Sequence, residues 1–176
     1  HVELEKRLAQ FKGVEAAITF QSGFTANLAV IPVLVGKEDV IFSDRLNHAS
    51  IIDGARLSGA KIIPYEHNDV KSLEEQIKAN LSQYRRALIV TDGVFSMDGD
   101  LAPLREIVEL KHKYGAWLML DEAHATGLFG ERRRGLAEAY DLADRVEIQM
   151  GTLGKALGAA GGYICGSRPL IDTLIN

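Results

Sequence analysis

A chain of 176 residues with 47% hydrophobic and 25% charged side chains carries enough apolar material for one well-buried domain. Its formal net charge of −4 excludes a general attraction to nucleic acid or to an anionic membrane surface, so any phosphate must be bound locally. The single cysteine, Cys165, excludes an intramolecular disulfide and fits a reducing, cytoplasmic setting, and no apolar run approaches the ~20 residues of a membrane-spanning helix.

Helical and strand signals alternate from end to end. Leu4, Leu8 and Phe11 share one face of an expected helix from Glu3 to Phe11, which Gly13 stops. Ala16 to Phe20 reads as a short buried strand, and Ser22-Gly-Phe24 opens an apolar helix reaching about Leu34. Strand signals follow at Val40 to Phe42 and Lys61 to Tyr65, separated by a helix from Ala49 to Leu57. Leu73, Ile77 and Leu81 mark an amphipathic helix, and Ala87 to Thr91 the next strand. Pro103 suits the first turn of a helix running from Leu104 to Tyr114. Strands are then expected at Ala116 to Leu120, Val146 to Met150 and Gly162 to Cys165. The chain begins at His1 and runs out at Asn176 within an expected helix, so a piece of a longer polypeptide is expected.

Several of these strands are continuous apolar runs, the pattern of sheets covered by helices on both faces. The expected fold is therefore α/β, a three-layer α/β/α domain around a mainly parallel sheet. Ligands of such sheets collect at the carboxyl ends of the strands. The polar clusters fall there: Ser22 to Phe24, Asp44 to Ser50, Asp92 to Asp100, Asp121 to Gly127, and Gly151 to Lys155.

Each cluster has an ordinary reading and a chemical one. A lysine in a glycine-rich loop, such as Lys155, is by itself usually solvated. An aspartate at a strand end, such as Asp121, can simply cap the next helix. Together with His124 they answer three demands of one cofactor, pyridoxal 5′-phosphate (PLP). The lysine amine holds the aldehyde as a Schiff base, the carboxylate keeps the pyridine nitrogen protonated, and the imidazole bonds the phenolic oxygen. His48 can stack on the ring, or the Asn47 to Ser50 stretch can be a plain helix start. The helix start at Gly23 and Phe24 offers free N–H groups to a phosphate, and Thr152 offers a hydroxyl. Ser96 sits in a turn that points it at the cofactor, with Asp98 and Asp100 structural; the spacing lacks the oxygen ligands of a calcium loop. Glu122 is expected to bond nearby backbone, His67 to Asp69 to form a turn, Glu131 to Arg134 to be a solvated loop, and Cys165 to pack in the core.

The segments Ser22-Gly-Phe-Thr-Ala-Asn27, Asn47-His-Ala-Ser-Ile-Ile-Asp-Gly54, Thr91-Asp-Gly-Val-Phe-Ser-Met-Asp-Gly-Asp100, Asp121-Glu-Ala-His-Ala-Thr-Gly127 and Gly151-Thr-Leu-Gly-Lys-Ala-Leu-Gly158 occur in that order. Together they resemble the α-oxoamine synthase family of fold-type I, class-II aminotransferase-like PLP enzymes. The resemblance runs essentially end to end and covers the family's large, cofactor-binding domain; its amino-terminal segment and small carboxy-terminal domain are expected to lie outside residues 1–176. One departure is Arg132-Arg-Arg134, where the family more often has a glycine.

The resemblance implies Lys155, Asp121, His48 and His124 as the catalytic set. It adds Gly23, Phe24 and Thr152 at the phosphate, and Ser96 beside His124 at the phenolic oxygen. The implied reaction condenses an amino acid with an acyl-CoA or acyl-ACP thioester, with loss of carbon dioxide, to give an α-amino ketone. L-alanine with a pimeloyl thioester, a step toward biotin, is the first expectation, and glycine with acetyl-CoA the second. A homodimer with sites at the subunit boundary is also implied. Remaining readings are a PLP lyase or aminotransferase on this fold, and a non-catalytic α/β binding module.

Overall fold

The strands β1 (Ala16–Phe20), β2 (Val40–Asp44), β3 (Lys61–Tyr65), β4 (Ala87–Asp92), β5 (Trp117–Asp121), β6 (Ile148–Thr152) and β7 (Gly162–Gly166) form one sheet, ordered β1-β7-β6-β5-β4-β2-β3. They come from a computed structural model covering residues 1–176. β2 pairs in parallel with β3 and β4, β4 with β5, and β5 with β6. β7 runs antiparallel to both of its neighbours, β6 and β1. β1 therefore points the same way as β6, and the carboxyl ends of β1, β2, β4, β5 and β6 share one rim.

Seven helices flank the sheet: α1 (Val2–Lys12), α2 (Gly23–Leu34), α3 (Ala49–Ser58), α4 (Val70–Asn80), α5 (Leu104–Tyr114), α6 (Leu136–Ala139) and α7 (Arg168–Ile175). Strand side chains alternate between the two faces. Phe42, Ile89, Leu118 and Leu120 pack with Leu73 and Ile77 of α4 and Leu104 and Ile107 of α5. Ile41, Leu88, Val90, Met119, Ile148 and Met150 pack on the other side with Val30 and Ile31 of α2, Ile51 of α3 and Ile171 of α7. Both faces are thus covered, which is why the strands read as unbroken apolar runs. The expected α/β, three-layer, mainly parallel architecture is the one found.

Several details differ from the sequence expectation. β6 begins at Ile148, not Val146, because Glu147 spends its carboxylate on the Leu118 N–H (2.9 Å) and on Lys111. Pro103 is the N-cap of α5 and lies outside its first turn. The four-residue α6 is too short to carry a 3.6-residue period and left no signal. Gly13, at φ 73, does end α1, in the left-handed conformation that glycine adopts without steric cost.

Candidate active site

Register places the acids. Asp92 and Asp121 are direct neighbours across β4 and β5, and Asp121 pairs with Met150 of β6. By strand alternation Asp92 follows Leu88 and Val90, and Asp121 follows Met119, onto the face that carries α2 and α3. At the carboxyl end that face opens into a cleft lined by Gly23, Phe24, His48, Ser50, Asp92, Ser96, Asp121, Ala123, His124, Met150, Thr152 and Lys155. All eight residues selected from sequence line it, drawn from five separate loops.

α2 starts at the cleft because Ser22 caps it, its Oγ accepting from Thr25 N–H at 3.0 Å. The N–H groups of Gly23 and Phe24, first in the helix, have no intrahelical acceptor. A Cβ on Gly23 would come 2.9 Å from the Met150 methyl, so glycine keeps this approach open. Thr152 sits opposite, but its hydroxyl donates to Gly161 O (3.0 Å) and accepts from Gly154 N–H (3.3 Å). Its proton must be turned out of that bond before Thr152 can donate into the cleft.

Asp121 is 3% exposed, yet it forms no ion pair with any residue of the chain. Its Oδ1 accepts from Ala123 N–H at 2.9 Å and its Oδ2 from Asn27 Nδ2 at 3.0 Å. The second amide hydrogen of Asn27 goes to Ser50 Oγ (2.9 Å), which leaves the Ser50 hydroxyl free to donate to His48 Nδ1 (2.7 Å). Ser50 N–H also donates to Nδ1, at 3.2 Å. With Nδ1 accepting twice, a neutral His48 carries its proton on Nε2. His48 itself, rather than Asn47 or Ser50, is the N-cap of α3. Asn47 instead ties the strands together, accepting from Asp92 N–H (2.9 Å) and donating to Val90 O (2.8 Å) and Ser43 Oγ (2.9 Å). Phe24 stands edge-on to His48, ring centres 6.5 Å apart.

Two titrations are displaced here. Burial, reinforced by the charge of Asp121, pushes the Asp92 carboxyl up to about 8 against a single compensating bond from His48 N–H at 2.8 Å. Burial and then the positive charge of Lys155 push His124 below the usual histidine range. At neutral pH His124 is therefore an uncharged imidazole with one N–H to donate. Ser96 and Lys155 are exposed at the cleft mouth.

Sequence reasoning missed Asn27, Ser50 and Asp92 as members of this network. Asn27, a buried amide in the largely apolar α2, and Asp92, an acid ending an apolar strand just as Asp121 does, were the available signals. Glu122, expected to bond nearby backbone, does accept from Ala137 N–H at 2.9 Å, but its main partner is the buried Lys12 of α1. Arg134 is likewise not fully solvated: its guanidinium approaches Gly13, and its carbonyl accepts from Lys12.

The cleft fits PLP on its own geometry. A buried carboxylate with no cationic partner suits a protonated ring nitrogen, unpaired helix N–H groups suit a phosphate, and an accessible amine suits an aldehyde.

The family model of aminotransferase class I and II matches residues 1–176, and the chain belongs to that family. The 8-amino-7-oxononanoate synthase of Geobacter sulfurreducens is 56% identical over 179 residues, covering 100% of this chain and 45% of the relative. The enzyme of the same name from Petrotoga mobilis is 58% identical over 175 residues, covering 99% and 44%. Among solved structures, a serine palmitoyltransferase from S. paucimobilis with PLP and myriocin bound superposes with a TM-score of 0.94 at 37% identity, over 99% of this chain and 44% of that one. The 8-amino-7-oxononanoate synthase of Francisella tularensis gives 0.85 at 34% identity, over 99% and 50%. Both names belong to α-oxoamine synthases, in agreement with the resemblance read from the motifs. The chain spans less than half the length of the curated relatives it matches. No helix is long and apolar enough to cross a membrane.

Proposed function

We propose that this chain is the large, cofactor-binding domain of a PLP-dependent α-oxoamine synthase that condenses L-alanine with a pimeloyl-CoA or pimeloyl-ACP thioester. A new carbon–carbon bond joins the alanine Cα to the thioester carbonyl, the thiol leaves, and the alanine carboxylate departs as carbon dioxide. The observation that carries this reading is the meeting of Lys155, Asp121, His48 and His124 on one cleft. Curated relatives at 53–58% identity share the name 8-amino-7-oxononanoate synthase, which favours alanine and pimeloyl over glycine and acetyl-CoA.

PLP, when bound, supplies an aldehyde for an amine and an electron sink for a carbanion at the substrate Cα. The protein's residues supply the rest. Asp121, fixed by Ala123 N–H and Asn27, holds a proton at the ring nitrogen. Lys155 Nζ would anchor the aldehyde and, freed when the amine of the substrate takes its place there, would accept the proton from Cα, a transfer that typically contributes ~10²–10⁴-fold. His48 would stack on the ring, its Nδ1 engaged by Ser50 and its Nε2 left to meet substrate. His124 and Ser96 bond the phenolic oxygen, and Gly23, Phe24 and Thr152 hold the phosphate. A homodimer with the cleft at the subunit boundary belongs to this reading. Met97, Leu128 and Leu157, exposed by 92%, 62% and 41% on loops of the same rim, suit burial against a second copy.

The test uses the full-length protein. With PLP it should be yellow, bleach with borohydride, and carry the reduced label on Lys155. Alanine with pimeloyl thioester should then give carbon dioxide and an α-amino ketone, while glycine with acetyl-CoA turns over poorly. Absence of label from the wild-type protein defeats the reading in favour of a binding module; a labelled protein that prefers the glycine pair defeats the substrate assignment.

A further inference from the structure

Outside the cleft, the turn between β3 and α4 carries a histidine that the chemistry above does not use. His67 Nδ1 lies 2.9 Å from Asp44 Oδ1, and its Nε2 lies 2.6 Å from Asp100 Oδ2. Its ring meets Phe95 edge-on, centres 4.4 Å apart. An ionised carboxylate accepts and cannot donate, so both contacts require an N–H on each ring nitrogen. The ring that satisfies both is an imidazolium. Asn68, at φ 53, adds its N–H to Asp44 Oδ2 (2.9 Å) and its side-chain amide to Asp100 Oδ2 (2.7 Å) and Leu101 O (3.1 Å).

The two carboxylates sit at the roots of two loops of the cleft. Asp44 ends β2, accepts from Leu46 N–H (2.9 Å) through Oδ1 and from Asn47 N–H (3.2 Å) through its carbonyl, and so leads directly to His48. Asp100 closes the turn of Ser96: its carbonyl accepts from Phe95 N–H at 3.0 Å, and Gly99 N–H donates to Phe95 O at 2.8 Å. Phe95, immediately before Ser96, is the ring that His67 packs against.

We propose that His67 is a positioning residue for the cleft: as an imidazolium bridging Asp44 and Asp100, it fixes the turn of Ser96 against the loop of His48. The proposal rests on the reading of Ser96 and His48 as residues that hold the cofactor ring. The charged groups facing His67 are Asp44 from β2 and Asp100 from the turn; Asn68 and Phe95 are neutral. The adjacent Arg45 and Glu66 pair with each other at 3.0 Å and are exposed. Partial burial opposes protonation of His67, but its bonds to Asp44 and Asp100 and their charges outweigh it, and the group titrates above the usual histidine range. The bridge is therefore complete below the ordinary histidine value and is lost as pH rises through the raised one. A neutral ring would aim a lone pair at one of the two carboxylates.

The test needs no cofactor for its first readout. In the full-length protein, ¹⁵N spectra should show both His67 nitrogens protonated at about pH 6.5, the ordinary midpoint. His67→Gln and Asp100→Asn should each raise amide exchange at Phe95 and Gly99 ~10-fold, the opening expected when one charge-assisted bond is lost, with β5 unchanged. The second readout is turnover: the wild type should lose kcat on an alkaline limb that His67→Gln lacks. A bare ring nitrogen at that pH, exchange unchanged at the turn, or exchange raised equally along the whole chain overturns the proposal. If the wild type turns over none of the substrates named above, the functional reading fails, while the exchange data still decide the role of His67.

Discussion

The two ends of the strands are built to opposite rules. At the amino ends of β5 and β6 lies a groove of ≈ 690 Å³, lined in part by Val14, Val33, Leu34, Trp117 and Leu170. Two of the cations there have partners: Lys111 pairs with Glu147, and Arg86 lies over the Trp117 ring at 5.2 Å. At the carboxyl ends the cleft is smaller, ≈ 120 Å³, yet Asp121 has no counter-ion and the Asp92 carboxyl is pushed up to about 8. The larger hollow is the usual first candidate for a site. Here the uncompensated charge is the better guide, because a fold tolerates a buried unpaired acid only where it is held protonated, as at Asp92, or where something else supplies the positive partner.

The contrast between the two ends is tested most directly at Lys155. Lys155→Ala should remove the borohydride label and lower turnover by at least the ~10²–10⁴-fold of general-base transfer. The fold should survive, since the side chain is exposed; unchanged circular dichroism would show that. Normal turnover by this variant would place the chemistry elsewhere.

Next in size is the acid adjacent to Asp121 in the chain. Glu122 is fully buried like Asp121, but it has Lys12, itself 1% exposed, as a cation. Lys12→Met leaves Glu122 buried and unpaired, and should cost ~3–5 kcal/mol of unfolding free energy in a denaturant titration. Adding Glu122→Gln should recover much of that loss. If Lys12→Met is silent, charge compensation does not distinguish the two acids.

Asp92 makes the same contrast depend on pH. Its folded value lies above the ordinary ~3.9 of an aspartate, so the folded state favours the protonated form. The stability tied to that proton is complete below pH ~4 and is lost as pH rises toward the folded value of about 8. Asp92→Asn keeps an acceptor for His48 N–H and removes the charge. It should gain on the order of 1–3 kcal/mol over the wild type at pH 7, with the gain vanishing near pH 4. A difference in melting temperature that does not change with pH would refute the raised value.

What the sequence made legible follows the same division. Strands covered on both faces announce themselves as apolar runs, and a polar residue that ends such a run, as Asp121 does, stands out against it. Lys155 is visible because glycines flank it. Partners distant in sequence leave no local trace. His67 was expected to be no more than a turn because Asp44 and Asp100 lie far from it along the chain. Lys12, between the expected helix end at Phe11 and Gly13, has nothing beside it in sequence that points to Glu122. The antiparallel direction of β7 was equally hidden, since strand polarity depends on the path of the connection and not on strand composition. Equally hidden was the bond of the Thr152 hydroxyl to the loop carbonyl of Gly161, which must open before that hydroxyl can donate into the cleft.

The smallest effect belongs to the amino-end groove and serves as the control. Trp117 is 37% exposed and touches Arg86 through its ring face. An exposed contact of that kind contributes ~0.5–1 kcal/mol, so Trp117→Leu should lower unfolding free energy by about that amount. Met119 and Asp121, further along β5, are held by their own ladder partners on β4 and β6, and the strand should carry no displacement to the cleft. Turnover per folded molecule should therefore stay within about twofold, a factor worth only ~0.4 kcal/mol of activation free energy. A tenfold loss of turnover with normal stability would mean that the groove takes part in the reaction, and that hollow size rather than unbalanced charge had been the signal to follow.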